Sequence, residues 1–255
     1  MEILHHTITG SDKPVVFIHG FCENETVWNG FVPTLAKNNT VITLDLGGFG
    51  ASSHLLPNPC SIETLAEQVK NLLDYLKIEK AVFVGHSLGG YVSLALAEKY
   101  PNMVEKLCLF HSTALADTQE KKDTRNKVIE FVQKVGVERY IDSFVSPLFY
   151  QPRLEELKSS ILEVEKVGKT TPLTTITSVV AAMRDRKNRL DVVKNAHFPV
   201  LYIIGKNDGA VTFESYQEQI ACNSLIQTLI LEETGHMGMF EHPKEILDTL
   251  LAFCR

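Results

Sequence analysis

The segment Ala81-Val82-Phe83-Val84-Gly85-His86-Ser87-Leu88-Gly89-Gly90 decides how this chain folds. Its apolar run up to Gly85 predicts a buried strand, and the Ala- and Leu-rich stretch 88–99 predicts a helix, so Ser87 lies on the turn between them. Glycine is required at 85 and 89 because side chains there would collide with the neighbouring backbone. The pattern predicts a nucleophile elbow, a strained turn that pushes the serine hydroxyl outward. The alternative is a glycine-rich connection with an idle serine.

The composition is typical of a globular protein with soluble partners. The chain has 255 residues, of which 44% are hydrophobic and 22% charged, and it is long enough to bury a sizeable core. Its formal net charge is −6, so the chain has no excess of positive charge that would attract nucleic acid or an anionic membrane. We therefore expect a small-molecule substrate, no nucleic-acid or membrane partner, and a monomer or a homodimer.

The cysteines and the first residues indicate the cellular compartment in which the protein is expected to work. Five cysteines are scattered without metal-like spacing, and the segment 1–6 lacks the regions of a signal peptide. These features predict a cytoplasmic protein. His5, His6 and His242 have no partner at metal-ligand spacing, so we assign no metal and expect no cofactor.

Short apolar runs alternate with helical patterns along most of the chain. The predicted strands are an extended segment within 2–9 and the runs 14–18, 41–44, 81–85, 104–110, 200–205 and 225–231. The predicted helices between and after them are 26–35, 62–76, 88–99, 212–220 and 243–253, and Ser61 is the predicted N-cap of the second. Such alternation favours an α/β fold with a mostly parallel sheet of about seven strands and helices on both faces.

The alternation stops between residues 112 and 195. Charge-rich helical patterns take over there, at 122–135, 137–144, 152–166 and 174–183. Because an insertion of this length is too long for an idle loop, we predict a helical lid over 112–195 and a core made of 1–111 and 196–255.

A serine nucleophile needs a base and a group that orients the base. Asp208 follows the predicted strand 200–205, and His236 follows the predicted strand 225–231. Loops that follow parallel strands emerge at one edge of the sheet, so Ser87, Asp208 and His236 are expected to converge there. Alone, the aspartate could be a turn former and the histidine an ordinary loop residue. Asp45 also ends a strand at this edge, but we interpret it as a brace for the glycine-rich loop 47–51.

An oxyanion hole needs two backbone N–H groups near the serine. We predict that Leu88, next to the serine, and Phe21, after the strand 14–18, supply them. Phe21 and Met237 are expected to contact the substrate. His19 is interpreted as a residue that organises loops.

Five motifs together resemble the α/β-hydrolase fold superfamily, in its lidded serine esterase-like branch. They are His19-Gly20-Phe21, the segment 45–52, Gly85-His86-Ser87-Leu88-Gly89-Gly90, Gly205-Lys206-Asn207-Asp208 and Gly235-His236. The resemblance implies that Ser87 attacks a carbonyl, that His236 accepts its proton and that Asp208 holds the imidazole. The chain departs from the family in having glycine at 47 and 48, where proline is usual, and a shortened N-terminal hairpin. We therefore expect one strand fewer than the usual eight.

The predicted function is hydrolysis of a small carboxylic ester, with lactones and thioesters as variants. Two alternatives stay open: hydrolysis of a carbon–carbon bond in dienoic diketones, and a ligand receptor derived from a hydrolase. The segment 183–187 is interpreted as a set of ion pairs that anchor the lid. Whether Arg184 or Arg186 instead contacts substrate stays open, as does the identity of the substrate.

Overall fold

The computed structural model describes residues 2–255 and contains one seven-stranded sheet with the order β1-β3-β2-β4-β5-β6-β7. The strands are β1 (His6–Thr9), β2 (Pro14–Ile18), β3 (Thr40–Leu44), β4 (Ala81–His86), β5 (Val104–Phe110), β6 (Val200–Gly205) and β7 (Ile226–Leu231). Only β1 runs antiparallel to its neighbour, and all other pairs in this sheet are parallel. The predicted fold class and strand number are confirmed.

Helices fill most of the connections. They are α1 (Val32–Leu35), α2 (Ile62–Tyr75), α3 (Leu88–Lys99), α4 (Gln119–Val135), α5 (Val137–Phe144), α6 (Lys158–Gly168), α7 (Leu173–Arg184), α8 (Leu190–Lys194), α9 (Gln217–Ile220), α10 (Gly238–Glu241) and α11 (Pro243–Phe253). The segment between β5 and β6 contains α4 to α8 and, within the described chain, no strand. No helix within residues 2–255 is long and apolar enough to span a bilayer.

The middle of the sheet is covered on both faces. Every residue of β4 and of β6 is buried, and successive side chains of a strand point to opposite faces. The register aligns the carboxyl ends of the central strands, since Ile18 pairs with Gly85, His86 with Phe110, and Phe110 with Ile203. The loops that follow β2, β4, β5 and β6 therefore begin side by side at one edge.

Local sequence signals account for α2. Its N-cap is Ser61, whose side chain accepts the N–H of Thr64 at 3.0 Å, and the Thr64 hydroxyl accepts the N–H of Ser61 at 2.9 Å. Its buried face carries Ile62, Leu65, Ala66, Val69, Leu72 and Leu73.

Three predicted helices differ from the observed ones. The predicted helix 26–35 is a 3₁₀ turn at Glu25–Trp28 followed by α1, because Pro33 lacks an N–H and is tolerated only in a first turn. The predicted helix 212–220 is likewise a 3₁₀ turn, Phe213–Tyr216, that runs into α9. The predicted helix 152–166 begins only at Lys158, after a 3₁₀ turn at Gln151–Arg153.

Candidate active site

Ser87 occupies a strained turn between β4 and α3. Its φ of 49° and ψ of −110° lie in a region that non-glycine residues rarely adopt. Backbone hydrogen bonds hold it: its N–H donates to the carbonyl of Phe110 at 2.9 Å, and its carbonyl accepts the hydroxyl of Ser112 at 2.7 Å. The surrounding structure therefore fixes the strained conformation at the serine.

The glycines beside the serine allow close approach of the backbone. A Cβ at Gly85 would fall inside van der Waals distance of the carbonyl of Gly89, and a Cβ at Gly89 would overlap the carbonyl of Ile18. The first turn of α3 thus lies directly on the end of β2. This close approach brings the loop after β2 to the serine.

Asp208 and His236 form a hydrogen-bonded pair. The distance from His236 Nδ1 to Asp208 Oδ2 is 2.7 Å, and both side chains are buried. The other oxygen of Asp208 accepts the N–H groups of Ala210 at 2.8 Å and Val211 at 3.0 Å. Burial favours a higher pKa for Asp208, but the charge and hydrogen bond of His236 and the nearby ring of His111 hold its pKa well below the ordinary value. The pair therefore contains an ionised carboxylate that fixes the orientation of the imidazole.

His111, which the sequence analysis did not single out, lies beside this pair. Its Nδ1 is 3.6 Å from Asp208 Oδ2 and accepts the N–H of Gly205 at 3.2 Å. Burial lowers the pKa of His111 to about 4, so the ring is neutral at pH 7. The only sequence signal was its position directly after β5, at the carboxyl edge of the sheet.

Ser87 and His236 line one cavity of about 330 Å³ between the sheet edge and the helices that follow β5. The hydrogen bonds of Ser87 within residues 2–255 involve its backbone only, so its hydroxyl is not bonded to His236 in this structure. Catalytic hydrogen bonds often tighten only when substrate is bound. Ser87 and His236 therefore line the same cavity, and the Ser87 hydroxyl makes no hydrogen bond within residues 2–255.

Two backbone N–H groups, one in the cavity wall and one next to Ser87, have no hydrogen-bond acceptor within residues 2–255. They belong to Phe21 and to Leu88, the first residue of α3. The Phe21 ring forms part of the cavity wall and makes edge contacts with Phe49 and Phe144, at centroid distances of 6.2 and 5.7 Å. Leu88 is fully buried and is not among the residues that line the cavity.

Met237 does not lie where the sequence analysis expected it. Its side chain is fully buried and is not among the residues that line the cavity. The chain turns after His236 into α10, which directs Met237 into the core instead. Met237 therefore lies outside the cavity wall in this structure, and its contact with substrate stays a prediction.

A buried ion pair lies beneath the elbow. His86 Nδ1 donates to the Glu23 carboxylate at 3.0 Å, and His86 Nε2 donates to the carbonyl of His236 at 2.9 Å. Since both ring nitrogens donate, His86 is an imidazolium. Burial opposes both charges, but each partner stabilises the other, which raises the pKa of His86 and lowers the pKa of Glu23. Glu23 also accepts the N–H of Gly20 at 2.7 Å.

Glu241 holds the histidine loop from the other side. Its carboxylate accepts the N–H groups of Gly235 at 3.0 Å, Met237 at 3.2 Å and Tyr150 at 2.6 Å. Burial raises the pKa of Glu241 by more than these hydrogen bonds lower it, so the pKa lies above its ordinary value. Because Tyr150 belongs to the helical segment after β5, one carboxylate joins that segment to the loop of His236.

Two other residues support neighbouring loops, as the sequence analysis interpreted them. Asp45 accepts the N–H groups of Glu25 at 2.8 Å and Ala51 at 2.7 Å. His19 donates to the carbonyl of Gly20 at 2.7 Å and accepts the N–H of Leu46 at 3.0 Å. Neither residue lines the cavity.

The arginines of segment 183–187 do not line the cavity either. Arg186 is buried against Asp117 at 2.6 Å, and Arg184 pairs with Asp185 at 2.7 Å on the surface. Both form ion pairs, but their partners Asp117 and Asp185 lie within 112–195, so these two pairs do not join the predicted lid to the core. The cation in the cavity wall is Arg125 of α4, which the sequence analysis did not single out.

Comparisons with known proteins place this arrangement in a family. The family model described as alpha/beta hydrolase fold matches residues 13–243. The dihydrolipoyllysine-residue acetyltransferase component of the acetoin cleaving system of Pseudomonas putida is 28% identical over 242 residues, which make up 95% of this chain and 63% of that protein. The chain thus spans less than two thirds of that relative's length.

Two solved structures are similar along nearly the whole chain. A thermophilic esterase from Thermogutta terrifontis, with malate bound, gives a TM-score of 0.91 at 25% identity and covers 98% of this chain and 92% of its own. The enol-lactonase from Burkholderia xenovorans gives a TM-score of 0.89 at 24% identity, covers 98% of this chain and 95% of its own, and supports the fold alone. Because the family model spans most of the sequence and the sheet has the matching architecture, this chain belongs to the α/β-hydrolase fold family.

Proposed function

We propose that this chain is a serine hydrolase that cleaves small carboxylic esters, lactones or thioesters through an acyl-enzyme. The observation that carries the proposal is the 2.7 Å hydrogen bond from His236 to the buried Asp208, with His236 lining the same cavity as the strained Ser87. An imidazole whose Nδ1–H is bound to a carboxylate keeps Nε2 free to accept a proton. That is the role a general base for the serine requires.

The reaction begins with attack of the Ser87 hydroxyl on the carbonyl carbon. His236 accepts the hydroxyl proton and then gives it to the leaving alkoxide, while Asp208 stabilises the imidazolium. The unbonded N–H groups of Phe21 and Leu88 stabilise the oxyanion. Water, activated by His236, then cleaves the acyl-serine bond and releases the carboxylic acid.

Residues 112–195 act in this proposal as a lid over a core formed by 1–111 and 196–255. Val128 and Phe131 of α4, Phe144 of α5, and Leu148 supply apolar wall to the cavity, which supports a substrate with an apolar acyl chain. The similarity to a thermophilic esterase is in line with this class of substrate.

The test combines covalent labelling with hydrolysis. Purified wild-type protein is expected to react with a fluorophosphonate at Ser87 and to release p-nitrophenol from a short-chain ester. Ser87→Ala is expected to lose the label and to lower kcat by about 10⁴-fold or more. Ser112→Ala, which removes a nearby hydroxyl that is bonded to the elbow backbone, is expected to keep the label. Absence of both labelling and ester hydrolysis in the folded wild-type protein would overturn the proposal.

The two alternative functions predict different results. A carbon–carbon bond hydrolase would turn over dienoic diketones faster than esters of similar size. A ligand receptor would label at Ser87 but show very slow turnover of every ester in a panel that varies acyl length. The panel should include lactones and thioesters, with Ser87→Ala as the blank.

A further inference from the structure

We propose that Arg125 binds a carboxylate of the substrate, so that the preferred esters carry a negative charge away from the bond that is cleaved. This inference rests on the proposed hydrolase function and specifies its substrate class. It starts from the contrast between Arg125 and the rest of the cavity wall. Among the described residues that line the cavity, Arg125 is the only Arg or Lys, and none is Asp or Glu.

The charges around Arg125 do not cancel. The carboxylate of Asp117 is buried and shared by two guanidinium groups: Arg125 Nε donates to one oxygen at 2.8 Å and Arg186 Nη1 to the other at 2.6 Å. Two positive charges therefore face one negative charge. The cluster keeps one net positive charge beside a largely apolar cavity.

The two arginines differ in how fully they are bound. Arg186 also donates to the carbonyls of Leu115 at 3.1 Å and Met183 at 2.8 Å, and its guanidinium lies 4.2 Å from the ring centre of Tyr91. It is a structural residue with 3% of its side chain exposed. Arg125 donates through Nε alone within residues 2–255, and 25% of its side chain is exposed. Both Nη groups of Arg125 are therefore available to a ligand.

The available groups match a carboxylate. The two Nη atoms of a guanidinium form a planar pair of donors that can bind both oxygens of a carboxylate. The net charge of the cluster is equal in size and opposite in sign to that of one carboxylate, whereas a phosphate dianion would leave an excess negative charge. Because the neighbouring wall is apolar, the charge-assisted hydrogen bonds are less weakened by water than they would be on the surface.

The test compares esters that differ only in charge. In the first pair, monoethyl adipate carries its carboxylate on the acyl side of the ester, and its terminal amide is the neutral control. In the second pair, 4-acetoxybutanoate carries its carboxylate on the alcohol side of the ester, and 4-acetoxybutanamide is the neutral control. The wild-type ratio of kcat/KM, charged over neutral, is expected to be about tenfold or more in at least one pair, as charge-assisted bonding to Arg125 requires.

Arg125→Gln is expected to bring that ratio close to one. The matched control is Arg184→Gln, which changes another arginine of the helical segment with a similar side-chain exposure of 29% but outside the cavity. It should leave the ratio at the wild-type value. A wild-type ratio near one in both pairs, or a ratio that Arg125→Gln does not lower, overturns the proposal.

A binding measurement separates this inference from the proposed function. In Ser87→Ala protein, titration calorimetry is expected to show that the charged ester of at least one pair binds more tightly than its amide, and that adding Arg125→Gln removes the difference. If no ester is hydrolysed but this difference is found, the hydrolase proposal fails and the carboxylate site stands. If esters are hydrolysed but the calorimetric difference is absent, only the carboxylate site fails.

Discussion

The ring of His86 donates a hydrogen bond to the backbone carbonyl of His236 over 2.9 Å. Its other nitrogen donates to Glu23, which in turn accepts the N–H of Gly20. One buried ion pair thus connects the loop that carries Phe21, the elbow of Ser87, and the loop that carries His236. These hydrogen bonds therefore connect the three loops of the candidate site beneath the cavity.

Glu23→Gln is expected to lower the free energy of unfolding by about 2 kcal/mol or more, because it leaves a buried His86 without its counter-charge. Folding lowers the pKa of Glu23. The contribution of Glu23 to stability is therefore present above the ordinary pKa of 4.5 and is lost as pH falls through the folded-state pKa. The pKa of His86 is raised, so its contribution is present below 6.5 and is lost as pH rises through the folded-state pKa. The difference between wild type and variant should therefore be largest between pH 4.5 and 6.5.

Urea unfolding at several pH values measures this difference. Glu67→Gln is a suitable control, since Glu67 pairs with Lys99 at 2.7 Å on the surface and should change stability by less than about 0.5 kcal/mol. A Glu23→Gln effect that does not vary with pH would show that the pair is not charged.

Asp208→Asn is expected to lower kcat for a p-nitrophenyl ester by about 10³- to 10⁴-fold, because the amide no longer fixes the tautomer of His236. KM should change little, since Asp208 does not line the cavity. Steady-state kinetics with Asp45→Asn as the control checks this, because Asp45 also follows a strand at the same sheet edge but bonds only backbone N–H groups. Equal losses in the two variants would contradict the assigned role.

Gly89→Ala is expected to lower stability by about 3 kcal/mol, because the new Cβ would overlap the carbonyl of Ile18. Gly30→Ala is the matched control, since a Cβ at Gly30 meets nothing within 4 Å. Thermal unfolding followed by circular dichroism compares the two variants. Similar melting temperatures would indicate that α3 can move away from β2 at little cost.

Glu241→Ala is expected to lower stability by about 2 to 3 kcal/mol, because it removes the acceptor of three backbone N–H groups around His236. Glu241→Gln retains one acceptor oxygen and should lose less. Hydrogen exchange of the amides of Tyr150 and Gly235 should accelerate in the alanine variant. Unchanged protection at Tyr150 would show that the helical segment is held there by other contacts.

The sequence by itself determined the sheet and the order of its loops. Apolar runs of strand length fixed β2 to β7, and the rule that parallel strands end at one edge was enough to predict that Asp208 and His236 meet. Local signals such as the Ser61 cap also worked, because their interactions lie within four residues. Prediction missed the 3₁₀ turns at Glu25–Trp28, Gln151–Arg153 and Phe213–Tyr216, because each is too short to show a periodic pattern of its own.

Only the tertiary structure decided what surrounds the site. Glu23 and His86 are 63 residues apart, and Arg186 and Asp117, the pair next to Arg125, are 69 residues apart. Met237 points into the core for the same reason, since one turn of backbone beyond His236 sets its direction. Charge pairing and side-chain direction depend on contacts between distant segments, whereas strand order and loop placement follow from periodicity along the chain.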